Sequence, residues 1–385
     1  MIFTTNKMKF NKFTIISIFF LVFGLSNANP GIVSATENTS LKTSVEIQNL
    51  GSLVLQKANQ SDTTKLILKK SPKITIVVDN YEGLEPHELI KYDLDNDGKT
   101  EIIATLKYAD SQNVIPFVYT LKESLEKIFP DEDSESKLLT CREVFVTTQN
   151  SKPVVCLKYL ISFHDYAPPE LYKLEMYSLE NGKLKLNQIG YNEGSHYNLL
   201  MNLAAEYMHN GQTLQAAQLY NQAIASSTGK MSNKAFCEAL FFNAEALKYS
   251  GKYSDAMKLF EKLVLEHTDS DFTEISQREL EFIHDNIKNE KLLSEYYKIQ
   301  LEIVNEHTES ALTHLNQLIK DNPKCSFMDR LLFTKAEMLI SDNNIEAAMA
   351  IFIDIKVKYP QSPLIDTIDE MLENLESKPE DSEEL

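Results

Sequence analysis

The 385 residues include only four cysteines, Cys141, Cys156, Cys237 and Cys325, spread along the chain without a CxxC pair. That spacing excludes a zinc finger or ribbon and supplies no disulfide framework. Cys141 and Cys156 flank the turn segment TTQNSKP, where two readings stand open. The thiols face one another across a hairpin, or a turn centred on Asn150 and Ser151 sets Cys156 opposite Phe145. Basic residues are in deficit, 38 Lys and Arg against 56 Asp and Glu, for a formal charge of -18. Phosphate-driven nucleic-acid binding draws on clustered Lys and Arg, so it is disfavoured, and cationic partners or divalent metals suit the chain better. After Leu25 no apolar run approaches the roughly 20 residues that a bilayer span needs. Missing too are HExxH, GxSxG and a phosphate-cradling glycine loop. The eight histidines are dispersed, and in HELIK, from His87, Lys91 stands where a metalloprotease has its second histidine. With no acid and base paired in a cleft, the chain reads as a non-enzyme.

What is present begins with Lys7, Lys9 and Lys12 ahead of the apolar run FTIISIFFLVFGL, Phe13 to Leu25, followed by small residues in SNAN. This pattern predicts a signal peptide over 1–28, cleaved after Ala28 with Ala35 as second choice, and a secreted or periplasmic protein of bacterial type; an uncleaved signal anchor is the alternative. Cleavage removes three lysines and takes the formal charge from -18 to -21. Residues 29–63, rich in Asn, Ser and Thr, read as a flexible leader; its sequons at Asn38 and Asn59 are read as chance occurrences. The run DEDSESK, Asp131 to Lys137, reads as a charged linker, and 377–385 as an acidic tail.

From 64 to 193 the pattern is that of strands: KITIVVD, EIIATLKY, PFVYTL, REVFVTT, PVVCLKYLISF, LYKLEMYSL and KLKLNQI are short, β-branched or aromatic, and bounded by turns. Asn181-Gly182 is a two-residue hairpin signal, because both positions require positive φ. GKTEII, from Gly98, falls on SKPVVC, from Ser151, and Pro116 falls on Pro169 at the same offset. The region therefore predicts a mainly-β domain of two units of about 50 residues, packed as a sandwich or an open pair of sheets.

After Gly194 the period becomes helical. Small and bulky residues recur at matching places: Ala204, Tyr207, Ala216, Tyr220 and Ala223; Ala244, Leu247, Ala256, Phe260 and Leu263; Ala336, Leu339, Ala348, Phe352 and Ile355. A weaker copy keeps Ala311, Leu315, Leu318 and Pro323 but lacks the small residue in its first helix, around Glu295 to Glu306. Gly211, Gly251 and Asn343 sit where a first helix must end in a left-handed residue. An irregular stretch, Thr273 to Lys291, adds one extra helix, and a helix from about Pro363 caps the stack. Residues 195–376 thus resemble the tetratricopeptide (TPR) repeat, and the chain as a whole reads as an α+β multidomain protein with a C-terminal all-α TPR-like solenoid.

In that family the first helices line a concave groove. By column, the resemblance implies partner contacts at Asn198, Met201 and Met208, at Phe241, Glu245 and Lys248, and at Arg330, Phe333 and Glu337, with exposed Met and Phe set beside charges. A competing reading places Phe241 and Phe333 in the core between repeats, and His196 and Tyr197 merely start the first helix. The similarity to periplasmic repeat proteins of envelope assembly extends to the repeats alone.

The stretch YDLDNDGKTEII, Tyr92 to Ile103, alternates aspartates ahead of a glycine and runs directly into a strand. An EF-hand requires an acid where Ala104 stands. The stretch resembles instead the calcium loop of FG-GAP and VCBS-type repeats, with Asn96 departing from their usual glycine. The resemblance implies Ca²⁺ held by the carboxylates of Asp93, Asp95, Asp97 and Glu101 and by the Lys99 carbonyl. The matching positions of the second β unit, Val146, Thr148 and Asn150, cannot ligate in this way, so one site is expected; a solvated turn is the plainer alternative. The expected whole is an exported protein-binding scaffold with a calcium-stiffened β domain and a protein or peptide in its groove. Its rival is a self-associating, homo-oligomeric envelope protein whose β units pair between chains.

Overall fold

A computed structural model describes residues 42–48, 50–58, 62–121, 124–130, 140–164, 168–227 and 230–376. The signal peptide expected over 1–28, the sequons, the run from Asp131 to Lys137 and the acidic tail lie outside them. The chain divides into two compact units between Gly194 and Ser195.

The first unit holds twelve strands, among the described residues, in three four-stranded antiparallel sheets. β1 (Ser44–Ile47), β2 (Gly51–Lys57), β3 (Thr63–Ser71) and β4 (Ile74–Glu82) form one; β5 (Leu84–Tyr92), β6 (Glu101–Tyr108), β7 (Ile115–Leu121) and β8 (Leu125–Phe129) the next. β9 (Cys141–Gln149), β10 (Lys152–Ile161), β11 (Leu171–Glu180) and β12 (Lys183–Tyr191) form the third. Each sheet is a meander whose neighbours in sequence are neighbours in space. The internal repeat places β6 on β10 and β7 on β11.

Two expectations need correction here. There are three units rather than two, and the leader expected over 29–63 contributes β1 and β2. The reason is legible in GSLVLQK: alternation buries Leu53 and Leu55 while Ser52 and Val54 stay half-exposed. One apolar core, including Leu53, Leu66, Ile102, Leu106, Tyr119, Val155 and Leu157, draws side chains from all three sheets. Glycine is required at Gly51, where φ is +111° and a Cβ would lie 2.2 Å from the Lys69 carbonyl oxygen.

The hairpin turns follow their residues. Asn181 and Gly182 both take positive φ, as do Asn150 and Ser151, so the second turn sets Cys156 opposite Phe145 and Cys141 opposite Tyr159. The cysteines are free thiols. Strand β4 lies at the edge of its sheet with Ile74, Ile76 and Val77 exposed.

In the second unit, α1 (Tyr197–His209), α2 (Thr213–Ser226), α3 (Asn233–Tyr249) and α4 (Tyr253–Glu266) make two antiparallel pairs. α5 (Thr273–Asn286) follows alone; then α6 (Glu290–Val304) pairs with α7 (Thr308–Asp321) and α8 (Met328–Ser341) with α9 (Ile345–Lys358). α10 (Ile365–Glu376) closes the stack by burying Ile368 and Met371 against α8 and α9.

The four first helices end alike. The residue after the cap takes positive φ, at Gly211, Gly251, Glu306 and Asn343. Its N–H and the next return to the last turn of the helix: Gly251 N to Lys248 O at 3.0 Å and Lys252 N to Leu247 O at 2.8 Å, with the same pairs at the other three. This is the Schellman motif. The small and bulky columns pack as predicted, since Ala204, Ala216, Tyr220, Ala244, Ala256, Phe260, Ala336, Ala348 and Phe352 are wholly buried. In the third pair Ile299 occupies the column where the others have alanine, and α6 and α7 make the least extensive of the four pairings. A bulky side chain at the point of closest approach holds two helices apart.

The protein is thus an α+β multidomain chain with TPR-like helices. Among the described residues no helix is long and apolar enough to cross a membrane.

Candidate functional site

Two places gather chemically active side chains. The first is the loop between β5 and β6, which passes twice through the left-handed region, at Asn96 (φ 60°) and Gly98 (φ 83°). Asn96 is tolerated there because a short polar side chain is the next best choice after glycine.

The Asp93 carboxylate accepts from the N–H groups of Asp97 and Gly98 at 3.1 and 3.0 Å, and Asp95 accepts from Asp97 N at 3.2 Å. Glu101 is buried, and its carboxylate accepts from Leu94 N at 2.9 Å and from the Thr120 hydroxyl at 3.3 Å. Burial pushes its carboxyl above the ordinary range, and the charges of Asp95 and Asp97 push the same way. One oxygen each from Asp93, Asp95 and Glu101 lies within 4.8 Å of the others.

Of the four carboxylates expected as ligands, these three converge. Asp97 turns instead to Lys99, accepting from its N–H at 2.7 Å and pairing with its Nζ at 3.4 Å, and the N–H contact, ahead of the ammonium, lowers the Asp97 carboxyl. Three hard oxygen donors so close repel one another when charged, and a divalent cation of the Ca²⁺ type fits that donor set.

The second place lies in the helical unit. Most of the predicted groove residues are not exposed. Asn198, Met201, Met208, Phe241, Glu245, Lys248 and Phe333 are buried, and Arg330 and Glu337 are half-buried. The expectation of exposed Met and Phe is therefore corrected: Phe241 stacks on Phe272 at 4.8 Å and Phe333 packs on Phe352 at 5.6 Å, both within the core. Asn198 accepts from the Asn202 side chain at 3.2 Å, and His196 caps α1 by accepting from Asn198 N.

Four of the predicted residues, Lys248, Arg330, Phe333 and Glu337, nonetheless line one cavity of about 430 Å³. Glu245 joins them through Lys248, whose Nζ donates to its two carboxylate oxygens at 2.7 and 2.8 Å. The residue that binds the group together is Glu279 of α5, 1% exposed, which accepts from Lys248 Nζ at 3.1 Å, from the Tyr297 hydroxyl at 3.1 Å and from the Arg330 guanidinium. Arg330 also donates from Nε to the Tyr296 hydroxyl at 3.2 Å and lies 3.9 Å over the Phe282 ring. Gln300 donates to both Tyr296 Oη and Thr334 Oγ1 at 3.1 Å.

Burial opposes the Glu279 charge, yet Arg330 and Lys248 outweigh it and hold its carboxyl below the ordinary range. Glu245 is pushed up, by burial first and by the Glu279 charge as well. The result is a closed network of two acids and two bases beneath an aromatic floor.

Six contributors, Phe282, Tyr297 and Thr334 among them, escaped prediction. Tyr296 and Gln300 occupy the same columns as Phe241 and Glu245, counted back from the left-handed residue, and Glu306 at that position concealed them. Glu279 stands outside the repeat, so column counting could not reach it.

No family model and no curated protein matches the chain. Among solved structures it is similar to a set of nearly identical TPR-like repeats from a kinesin light chain of Podosopora anserina, at 15% identity and a TM-score of 0.20, covering 48% of this chain and 96% of the other. A likeness of that size carries no weight of its own; the repeat rests on the four helix ends and the buried columns.

Proposed function

We propose that the chain is an exported, non-enzymatic docking scaffold whose helical unit receives a polypeptide segment at the cavity between α5, α6 and α8. The observation that carries this reading is the convergence of separate repeats on one aromatic-walled cavity, made rigid beforehand by the Glu279 network. A preformed site of this kind spares the ordering cost that weakens flexible surfaces.

A peptide library selected on the full chain should enrich a saturable binder. Thr367→Trp, which places a bulky ring at the half-exposed wall, should weaken that binder by about tenfold or more, a loss of about 1.4 kcal/mol. A binder indifferent to Thr367→Trp would place docking elsewhere. Export is supported by the sequence pattern of 1–28; an intact mass beginning at Asn29 in the secreted or envelope fraction tests it, and a retained Met1 contradicts it.

The β unit in this reading is stiffened by Ca²⁺ at Asp93, Asp95 and Glu101. Calorimetry should give a dissociation constant on the order of 10⁻⁴ M, as for extracellular modules. Binding should be abolished by Asp95→Ala and accompanied by proton release below neutral pH, because the buried Glu101 must ionise to ligate. Identical titrations of the two proteins would leave the loop a hydrogen-bonded turn.

A further inference from the structure

We propose that the cavity of the helical unit selects a cationic side chain, an arginine or lysine of the docked segment, and rejects acidic ones. The inference rests on the docking reading above and names the chemistry of its partner.

The lining contains two bases near its base, Lys248 and Arg330, which at first sight suit a carboxylate. Lys248 is fully engaged, and Arg330 already has a carboxylate partner. Lys248 is 2% exposed, with Glu245 at 2.7 Å and Glu279 at 3.1 Å, and Arg330 is paired with Glu279. Two acids and two bases cancel inside the network, and Tyr249, Tyr297 and Phe282 cover the cations. An incoming carboxylate would share Arg330 with Glu279, whose charge repels it, and could reach Lys248 only by displacing Glu279 and leaving that charge buried, which is a heavy cost.

The remaining charged residues decide the sign. Glu281, Asp285 and Asp329 line the same cavity, against one further base, Arg278. Glu281 and Asp285 are exposed and Asp329 half-buried, so the acids reach from the outer surface inward. An aromatic wall with an acidic rim suits a guanidinium or ammonium, whose charge meets the carboxylates while its flat face or stem lies on the rings. The wider hollow of about 1080 Å³ bordered by α6 and α7 makes the contrast: it is lined by four lysines and four acids, a balance that favours neither sign. The formal charge of the whole chain, -18, steers cations toward either hollow, so selectivity has to come from the local excess.

The test is fluorescence anisotropy on the full chain with labelled tetra-arginine amide and tetra-glutamate amide. It uses two double variants of equal charge change: Glu281→Lys/Asp285→Lys at the rim, and Glu370→Lys/Glu373→Lys on the exposed face of α10, away from the cavity lining. Tetra-arginine should bind saturably. The rim variant should weaken it by about tenfold, the effect of losing two near-surface charge contacts, and the α10 variant by less than about threefold.

Equal weakening by the two variants would show attraction to net charge alone and overturn the inference. Preferential binding of tetra-glutamate, lost in Thr367→Trp, would also overturn it while leaving the docking reading in place. Binding of neither peptide would overturn it as well, and the library selection then decides the docking reading by itself.

Discussion

Glu279→Ala should destabilise the helical unit by about 3–5 kcal/mol, the cost of removing one partner from a buried ion network. The side chain is 1% exposed and serves Lys248, Tyr297 and Arg330 at once, so its loss leaves a buried ammonium and a half-buried guanidinium without this carboxylate. Removing the charges together should restore most of the loss, because well-packed apolar groups often replace a buried pair at little cost; Glu279→Leu with Arg330→Met is the matching variant. Urea unfolding followed by ellipticity at 222 nm, where the helical unit dominates, checks both.

The pH dependence has a definite sign. Glu279 has its folded carboxyl pKa below the ordinary value of 4.5, so its stabilisation is fully present above about pH 4.5 and is lost as pH falls toward the folded value. Glu245, pushed upward, binds its proton more tightly in the folded state and works in the opposite sense, which makes the net slope shallower. The wild type should lose stability on acidification below about pH 4.5, and Glu279→Ala should lose less. A variant as acid-sensitive as the wild type would contradict the assignment.

Phe352→Ala should cost about 3–5 kcal/mol, the sum of lost transfer energy and an unfilled cavity. Phe352 is wholly buried in the last helix pair, packed on Phe333 in a cluster with Ala336, Ala348, Ile355 and Ile368. Ile353→Ala and Val357→Ala on the same helix should change stability by less than about 0.5 kcal/mol, because those side chains are 53% and 74% exposed. Thermal unfolding of the three variants checks the column assignment, and similar losses at Phe352 and Val357 would contradict it.

Legibility differed between elements for physical reasons. The repeat columns were readable because helix pairing demands small side chains at close approach and one left-handed residue at each turn. Ala244, Gly251 and Ala256 satisfy both. The Asn150-Ser151 turn was readable in the same way, and it settles Cys156 opposite Phe145. β1 and β2 were missed because polar composition around them outweighed two buried leucines.

The cavity was half legible. Lys248, Arg330, Phe333 and Glu337 were placed on it by column, yet the same columns put Met201 and Phe241 in a groove where packing buries them. Burial depends on which helix comes next, and α5 belongs to no repeat. Within the loop, alternation of aspartates picked out Asp93 and Asp95, whose oxygens lie close to Glu101, whereas Lys99 draws Asp97 away by a backbone contact that spacing does not reveal.

Hydrogen–deuterium exchange on the full chain, with and without the selected peptide, tests the central claim most directly. Docking at the cavity predicts slowed exchange in residues 273–286, 290–304 and 328–341, whose helices supply its walls. Slowed exchange confined to residues 44–191, with those three helices unchanged, would contradict it.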